Sequence, residues 1–221
     1  IRDFCLFVGS EMCIRDSFTT VRKPHTLISN GVPDYFSPSV EPSESPQGYE
    51  KVCLASASWR RHKRLEEAVE AFRSPALKDV CLVVLGGQDY ALEIEVPKNV
   101  FLKPKVSPKD LPGYYIMADA MIHLSWLDWC PNTVVESLAC GTPVLCSSNG
   151  GTKELVKDNG VVIQLEESYN IGEKVTLYNP PKVDPQLVVD GILKVLNEPK
   201  GFIRKDLSIE EVAKKYSKVM L

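Results

Sequence analysis

The sequence predicts a doubly wound α/β fold, a Rossmann-like open sheet of mostly parallel strands. Two observations carry this reading. Short apolar runs alternate with segments of helical period from about residue 51 onward. One of the runs, Val80 to Leu85 (VCLVVL), is apolar at every position and closes on Gly86-Gly87, as expected of a central parallel strand covered on both faces.

Taken in order, Val52 to Ala57 (VCLASA) reads as a buried strand. Arg64 to Phe72 comes next as a helix, with Leu65, Ala68, Val69 and Phe72 on one apolar face and charges opposite. After the Val80 to Leu85 strand come a short strand at Asn99 to Leu102 and an irregular helix at Pro108 to Met117, interrupted by Pro112 and Gly113. Ala118 to Leu124 is the next strand. Pro131 to Cys140 is a helix opening on proline in its first turn and stopping at Gly141. Thr142 to Cys146 and Val161 to Leu165 are strands, with a short helix at Thr152 to Val156 between them. Two amphipathic helices, roughly Pro185 to Leu196 and Ile209 to Val219, close the chain.

Composition narrows the function classes. With 221 residues, 44% of them hydrophobic, the chain can fill a substantial core and needs no disulfide staples. Its 26 Lys and Arg against 29 Asp and Glu lack the basic excess of a dedicated nucleic-acid binder. No apolar stretch approaches the ~18 residues of a membrane span, and no signal pattern opens the chain. Seven cysteines without a CxxC spacing, five of them (Cys53, Cys81, Cys130, Cys140, Cys146) in or beside apolar segments, read as reduced core thiols. These features together predict a cytoplasmic, soluble protein. Residues 1–17, ending Ser10-Glu11-Met12-Cys13-Ile14-Arg15-Asp16-Ser17, share no period with the segments C-terminal to them and read as foreign to the fold. Residues 18–50 form a leading segment, with a Pro/Ser-rich exposed connection from Ser37 to Gly48. The expected nucleotide-binding domain spans 51–200 and the closing helical segment 201–221.

In sheets of this type ligands gather at the carboxyl ends of the strands, so three loops hold the candidate site. The first, Ser56 to Arg64, places four cations within five residues between a strand and a helix. Cations there oppose the helix dipole, which an anion reached by Lys63 or Arg64 would explain; a solvated helix start is the plainer alternative. The second runs from Ser125 to Glu136. Its backbone N–H groups at Asn132, Thr133 and Val134 fall among the unpaired donors of a first helical turn, an anion cradle to which Pro131 adds nothing. Glu136 could look back over the same pocket, where two carboxylate oxygens match the two hydroxyls of a ribose, or could face solvent. Asp128 could be a helix cap. The third loop, Asn149 to Glu154, carries Gly150-Gly151, which suits either close backbone approach to a ligand or an ordinary tight turn.

These loops in this order resemble the C-terminal, donor-binding half of a GT-B-fold glycosyltransferase of the retaining family four. The resemblance rests on Ile28-Ser29-Asn30-Gly31-Val32, His62-Lys63-Arg64-Leu65, Leu82 to Gly87 and Ala118-Asp119-Ala120. It is strongest over Val134-Val135-Glu136-Ser137-Leu138-Ala139-Cys140-Gly141-Thr142-Pro143-Val144 and Gly150-Gly151-Thr152-Lys153-Glu154-Leu155-Val156. It implies transfer of a sugar from a nucleotide-diphospho-sugar to an acceptor hydroxyl, with retention, without metal and without a cofactor beyond the donor itself. Asp128 and Glu136 match the family's E-x7-E pair, the first near the donor sugar and the second on the ribose, with Asp in place of the first Glu. Lys63 matches the lysine of its diphosphate-binding basic pair, while Ser58 stands where the arginine is usual and Pro131 where a phosphate-loop glycine is usual. By this resemblance Lys63 and Asp128 are the catalytic candidates. Arg64, Asn132, Thr133, Val134, Glu136, Gly150 and Gly151 are the donor-binding candidates. The resemblance also implies an N-terminal acceptor domain that this chain does not supply, onto which the last helix would pack back and to which any peripheral membrane association would belong. The chain then reads as an N-terminally truncated fragment, inactive alone. A non-catalytic nucleotide or sugar-phosphate binding module is the alternative. A sugar-nucleotide epimerase ranks lower because the carboxylate spacing and the last helix favour transfer, and a Rossmann oxidoreductase lower again for want of GxGxxG.

Overall fold

The computed structural model describes residues 28–87, 92–165, 177 and 179–220. Six strands, β1 (Lys51–Ser56), β2 (Val80–Leu85), β3 (Val100–Lys103), β4 (Ala120–His123), β5 (Val144–Ser147) and β6 (Gly160–Ile163), form one sheet in the order β3-β2-β1-β4-β5-β6. Every pairing is parallel. The helices are α1 (Leu65–Ala71), α2 (Leu111–Met117), α3 (Asn132–Ala139), α4 (Thr152–Val156), α5 (Pro185–Val195) and α6 (Ile209–Met220). This is the predicted doubly wound α/β sheet, and the residues 1–17 read as foreign lie outside the described ones.

The period of two in each strand builds two cores. Cys53, Ala55, Leu82, Val84, Ala120, Ile122 and Leu145 face one way, where α1 and α5 cover them with Leu65, Val69, Val188 and Ile192. Val52, Leu54, Cys81, Val83, Met121 and Cys146 face the other way, against Tyr115 of α2, Val134, Val135 and Leu138 of α3 and Leu155 of α4. A strand sandwiched in this way has no polar side, which is why all six residues of β2 are buried.

Several boundaries differ from the sequence expectation, each for a local reason. Pro131 is not in the first turn of α3 but caps it in an extended conformation (φ −68°, ψ 118°). Before α1 a short 3-10 turn, Arg61–Lys63, intervenes, and Arg64 between them is left-handed at φ 54°. β4 begins at Ala120 because Asp119 is committed to β1: its carboxylate accepts from the Val52 amide at 2.8 Å and its amide donates to the Val52 carbonyl at 2.8 Å. β5 begins at Val144, since Thr142 turns its hydroxyl onto the Tyr115 carbonyl at 2.6 Å. The Pro/Ser-rich connection has no regular structure, and its Ser43 amide is tied to the Gly113 carbonyl at 2.9 Å. The start of the last helix is fastened to the leading segment: Val32 donates to Leu207 and accepts from Ile209, both at 2.9 Å.

The described cysteines are free thiols. Burial pushes Cys81 up to about 11 and Cys140 and Cys146 up to about 12, so they pack as neutral apolar groups.

The exit of β2 depends on one glycine. Gly86 sits at φ +121°, and a Cβ there would stand 1.8 Å from the Ala57 carbonyl oxygen, whereas one on Gly87 meets nothing within 4 Å. Gly86→Ala is therefore expected to lower stability by about 2–4 kcal/mol in urea unfolding, and Gly87→Ala to stay within about 0.5 kcal/mol of wild type.

Candidate active site

The strand order reverses between β1 and β4, which lie side by side with Cys53 opposite Ala120 and Leu54 opposite Met121. One crossover leaves β1 toward one edge and another leaves β4 toward the other, so a crevice opens above their carboxyl ends. The loop after β1 carries Lys63, and the loop after β4 carries Asp128. Backbone bonding sews the two together: the Trp126 amide donates to the His62 carbonyl at 2.8 Å.

At the floor of the crevice Lys63 Nζ donates to Asp128 Oδ2. Both side chains are largely buried, 20% and 15% exposed. His123, the last residue of β4, lies beneath them with Nε2 3.4 Å from the same oxygen. That distance is too long for a firm hydrogen bond, and Nε2 has no hydrogen-bond partner among the described residues. Burial works to raise the Asp128 carboxyl, but His123 and Lys63 outweigh it and hold the group well below the usual carboxylate range. Burial holds the His123 imidazole below its ordinary range. The crevice floor is thus a fixed anion between a cation and a neutral, buried imidazole.

The Gly150-Gly151 loop positions Asp128. Gly151 donates its amide to the Asp128 carbonyl at 2.8 Å, and a Cβ on Gly150, at φ +85°, would meet that carbonyl oxygen at 2.5 Å. Both glycines are buried against Asp128, so their close approach is to the site's own backbone.

Arg64 is placed apart from the other cations of its loop. It is 1% exposed, and its guanidinium donates to the Leu124 carbonyl at 3.4 Å and the Pro181 carbonyl at 2.8 Å, holding the exit of β4 from below. Ser58 and Arg60 are exposed, and His62 is half-buried.

The start of α3 offers less of a cradle than its sequence suggests. The Val134 amide donates to the Pro131 carbonyl at 3.1 Å, so the turn consumes that donor, and its side chain is buried. Among the described residues, the amides of Asn132 and Thr133 pair with no backbone carbonyl. Asn30, from the leading segment, braces this turn by donating to Asn132 Oδ1 at 2.8 Å.

One turn further on, Glu136 Oε2 accepts from the Tyr115 hydroxyl at 2.8 Å. Tyr115 is fully buried; burial first, then the Glu136 carboxylate, raise its hydroxyl well above the ordinary value, so it remains a donor. Sequence reasoning missed Tyr115, His123 and Asn30. Each reads locally as a helix, strand or loop residue, and only the tertiary fold brings it to the site.

A shallow hollow of about 530 Å³ lined by Lys157, Glu198, Phe202 and Arg204 lies by the α4–β6 loop, at the amino end of the strands. Its one buried cation is already spent, because Arg204 binds Asp206 through Nε at 2.7 Å and Nη2 at 2.8 Å. The Lys63–Asp128 pair lies at the opposite end of the sheet.

Residues 41–216 match the family Glycosyl transferases group 1. The chain belongs to this family. A curated relative, N-acetyl-alpha-D-glucosaminyl L-malate synthase of Bacillus anthracis, is 23% identical over 133 residues, which is 57% of this chain and 35% of that protein. Among solved structures, Anabaena HepE in complex with UDP and glucose superposes with a TM-score of 0.62 at 15% identity, covering 88% of this chain and 56% of that one. Sucrose-phosphate synthase from Thermosynechococcus elongatus gives a TM-score of 0.65 at 17% identity, covering 93% and 55%. The group 1 glycosyltransferase domain described here thus spans about half the length of the GT-B structures it resembles and about a third of that curated relative. Among the described residues no helix is long and apolar enough to cross a membrane.

The buried Tyr115 gives the glycosyltransferase domain an alkaline sensitivity. Because its hydroxyl titrates higher folded than unfolded, its stabilisation is complete below about pH 10 and is lost as pH rises beyond that value. Tyr115→Phe is expected to cost about 1–3 kcal/mol at pH 8 and to lose less stability between pH 8 and 10.5 than wild type, both measured as urea midpoints.

Proposed function

We propose that this domain binds the donor of a retaining, family-four glycosyltransferase, which moves a sugar from a nucleotide-diphospho-sugar to an acceptor hydroxyl. The observation that carries the reading is the convergence of Lys63, Asp128 and the start of α3 at the switch point of the sheet.

In this reading the diphosphate lies between Lys63 and the first turn of α3. Lys63 Nζ and the Asn132 and Thr133 amides face the charge that grows on the leaving phosphate, and they are held in place before the reaction begins. That arrangement supplies the charge neutralisation without a metal ion. Val134 contributes a buried side chain that anchors the turn. Glu136, oriented by Tyr115, accepts from the ribose hydroxyls. Asp128 stands at the donor-sugar position, with Gly150 and Gly151 fixing its backbone. Arg64 supports the loop from within and does not touch the donor. No protein nucleophile is invoked; the acceptor hydroxyl attacks as the nucleotide departs on the same face, and the leaving phosphate takes its proton.

The acceptor is assigned to a further domain, beyond the half of the GT-B structures that this chain matches. This chain alone is therefore proposed to bind nucleotide without transferring sugar. A cytoplasmic location is part of the same proposal, supported by the free thiols of the core.

Titration of UDP, GDP and ADP by ligand-observed NMR is the test. At least one nucleotide should bind, Lys63→Ala and Glu136→Ala should each weaken it by about tenfold or more, and no sugar nucleotide should be turned over. Absence of binding by wild type, or binding by both variants unchanged from wild type, contradicts the reading.

A further inference from the structure

Lys63 carries one positive charge, too little to neutralise two anions. Its ammonium donates to Asp128, and a donor diphosphate, with its greater negative charge, competes for it. The Asp128 side chain, only 15% exposed, would then be an unpaired charge in a largely dry pocket, a costly state. The nearest group able to supply a new cation is His123, 5% exposed, whose unpartnered Nε2 already points at the same carboxylate oxygen from 3.4 Å.

Resting on the donor-binding reading above, we propose that His123 is a positioning residue for Asp128. When Lys63 turns onto the diphosphate, His123 takes one proton from solvent and holds the Asp128 carboxylate ionised and in place. Protonation puts a hydrogen on Nε2 whichever tautomer the neutral ring adopts, so the 3.4 Å gap can close to a charge-assisted hydrogen bond.

The surroundings leave this task to His123. Burial acts first against its charge and Asp128 acts in favour of it, while Lys63 adds a smaller opposition that is relieved when a diphosphate holds Lys63. His62, from the same loop as Lys63, is itself disfavoured as a cation by burial and by Lys63. The Arg64 guanidinium is directed at the Leu124 and Pro181 carbonyls. Cys146, paired opposite His123 in β5, is a neutral thiol pushed up to about 12, with Lys153 the charge acting on it.

The first test needs no nucleotide. Histidine-selective 13C NMR, with the three imidazoles assigned through His123→Gln, follows the His123 titration. In wild type its midpoint should lie below 6.5. In Lys63→Met, where the competing cation is gone, it should rise by about one pH unit or more, and in Lys63→Met combined with Asp128→Asn it should fall back. A midpoint unmoved by Lys63→Met overturns the proposal, whether or not any nucleotide binds. The second test is calorimetry of the bound nucleoside diphosphate near pH 6.5 in two buffers of different ionisation enthalpy. Because the complex holds a proton that the free site lacks, affinity should fall with rising pH more steeply in wild type than in His123→Gln, by up to about tenfold per pH unit. Equal proton uptake in the two proteins overturns the assignment to His123, including the case in which His123→Gln simply binds more weakly.

Discussion

The parallel contact of β1 with β4 at the centre of the sheet is the constraint on which the site depends. Two strands that leave for opposite edges cannot be covered at their carboxyl ends by a single crossover, so their exit loops meet over an open crevice. The chain then has to place a cation and a carboxylate at that junction. Lys63 and Asp128 neutralise each other across it, and the His62–Trp126 backbone bond fixes the two loops in register. A buried charge pair of this kind adds little net stability, because desolvation offsets the attraction. Its retention at a ligand crevice fits a function better than a structural need.

Around that pair most of the supporting interactions end on backbone groups. Gly150 and Gly151 lie on the Asp128 main chain, Arg64 grips two carbonyls below the floor, and Asn30 braces the start of α3. The side chains that face the crevice are therefore few and held from behind. Positioning by a rigid frame, with charge preset, is the arrangement that the proposed electrostatic stabilisation of a leaving diphosphate would require.

Much of this was legible in the sequence. β2 announces itself because burial on both faces forbids polar residues, and α1 because its apolar residues keep the 3.6 period. The spacing of Asp128 and Glu136 was visible because one loop and one helix carry both. What stayed hidden depends on contacts between distant segments. Nothing near Arg64 indicates that it turns left-handed and inward; its neighbours Arg60 and Lys63 keep some solvent, and the approach of Leu124 and Pro181 brings carbonyl partners to its guanidinium. Nor does the PNTV stretch reveal that the Pro131 carbonyl takes the Val134 amide. Tyr115 and His123 sit in apolar segments where an aromatic ring reads as core filling. Their polar atoms acquire meaning only from Glu136 and Asp128, brought to them by the fold.

If Lys63 and the first turn of α3 form one anion site, as proposed, a diphosphate there displaces Lys63 from Asp128. A crystal structure of the chain with its best-binding nucleoside diphosphate decides this. Phosphate oxygens should lie within hydrogen-bond distance of Lys63 Nζ and of the Asn132 and Thr133 amides, with Lys63 moved off Asp128. A nucleotide bound elsewhere on the sheet, or bound in the crevice with the Lys63–Asp128 contact intact, would contradict it.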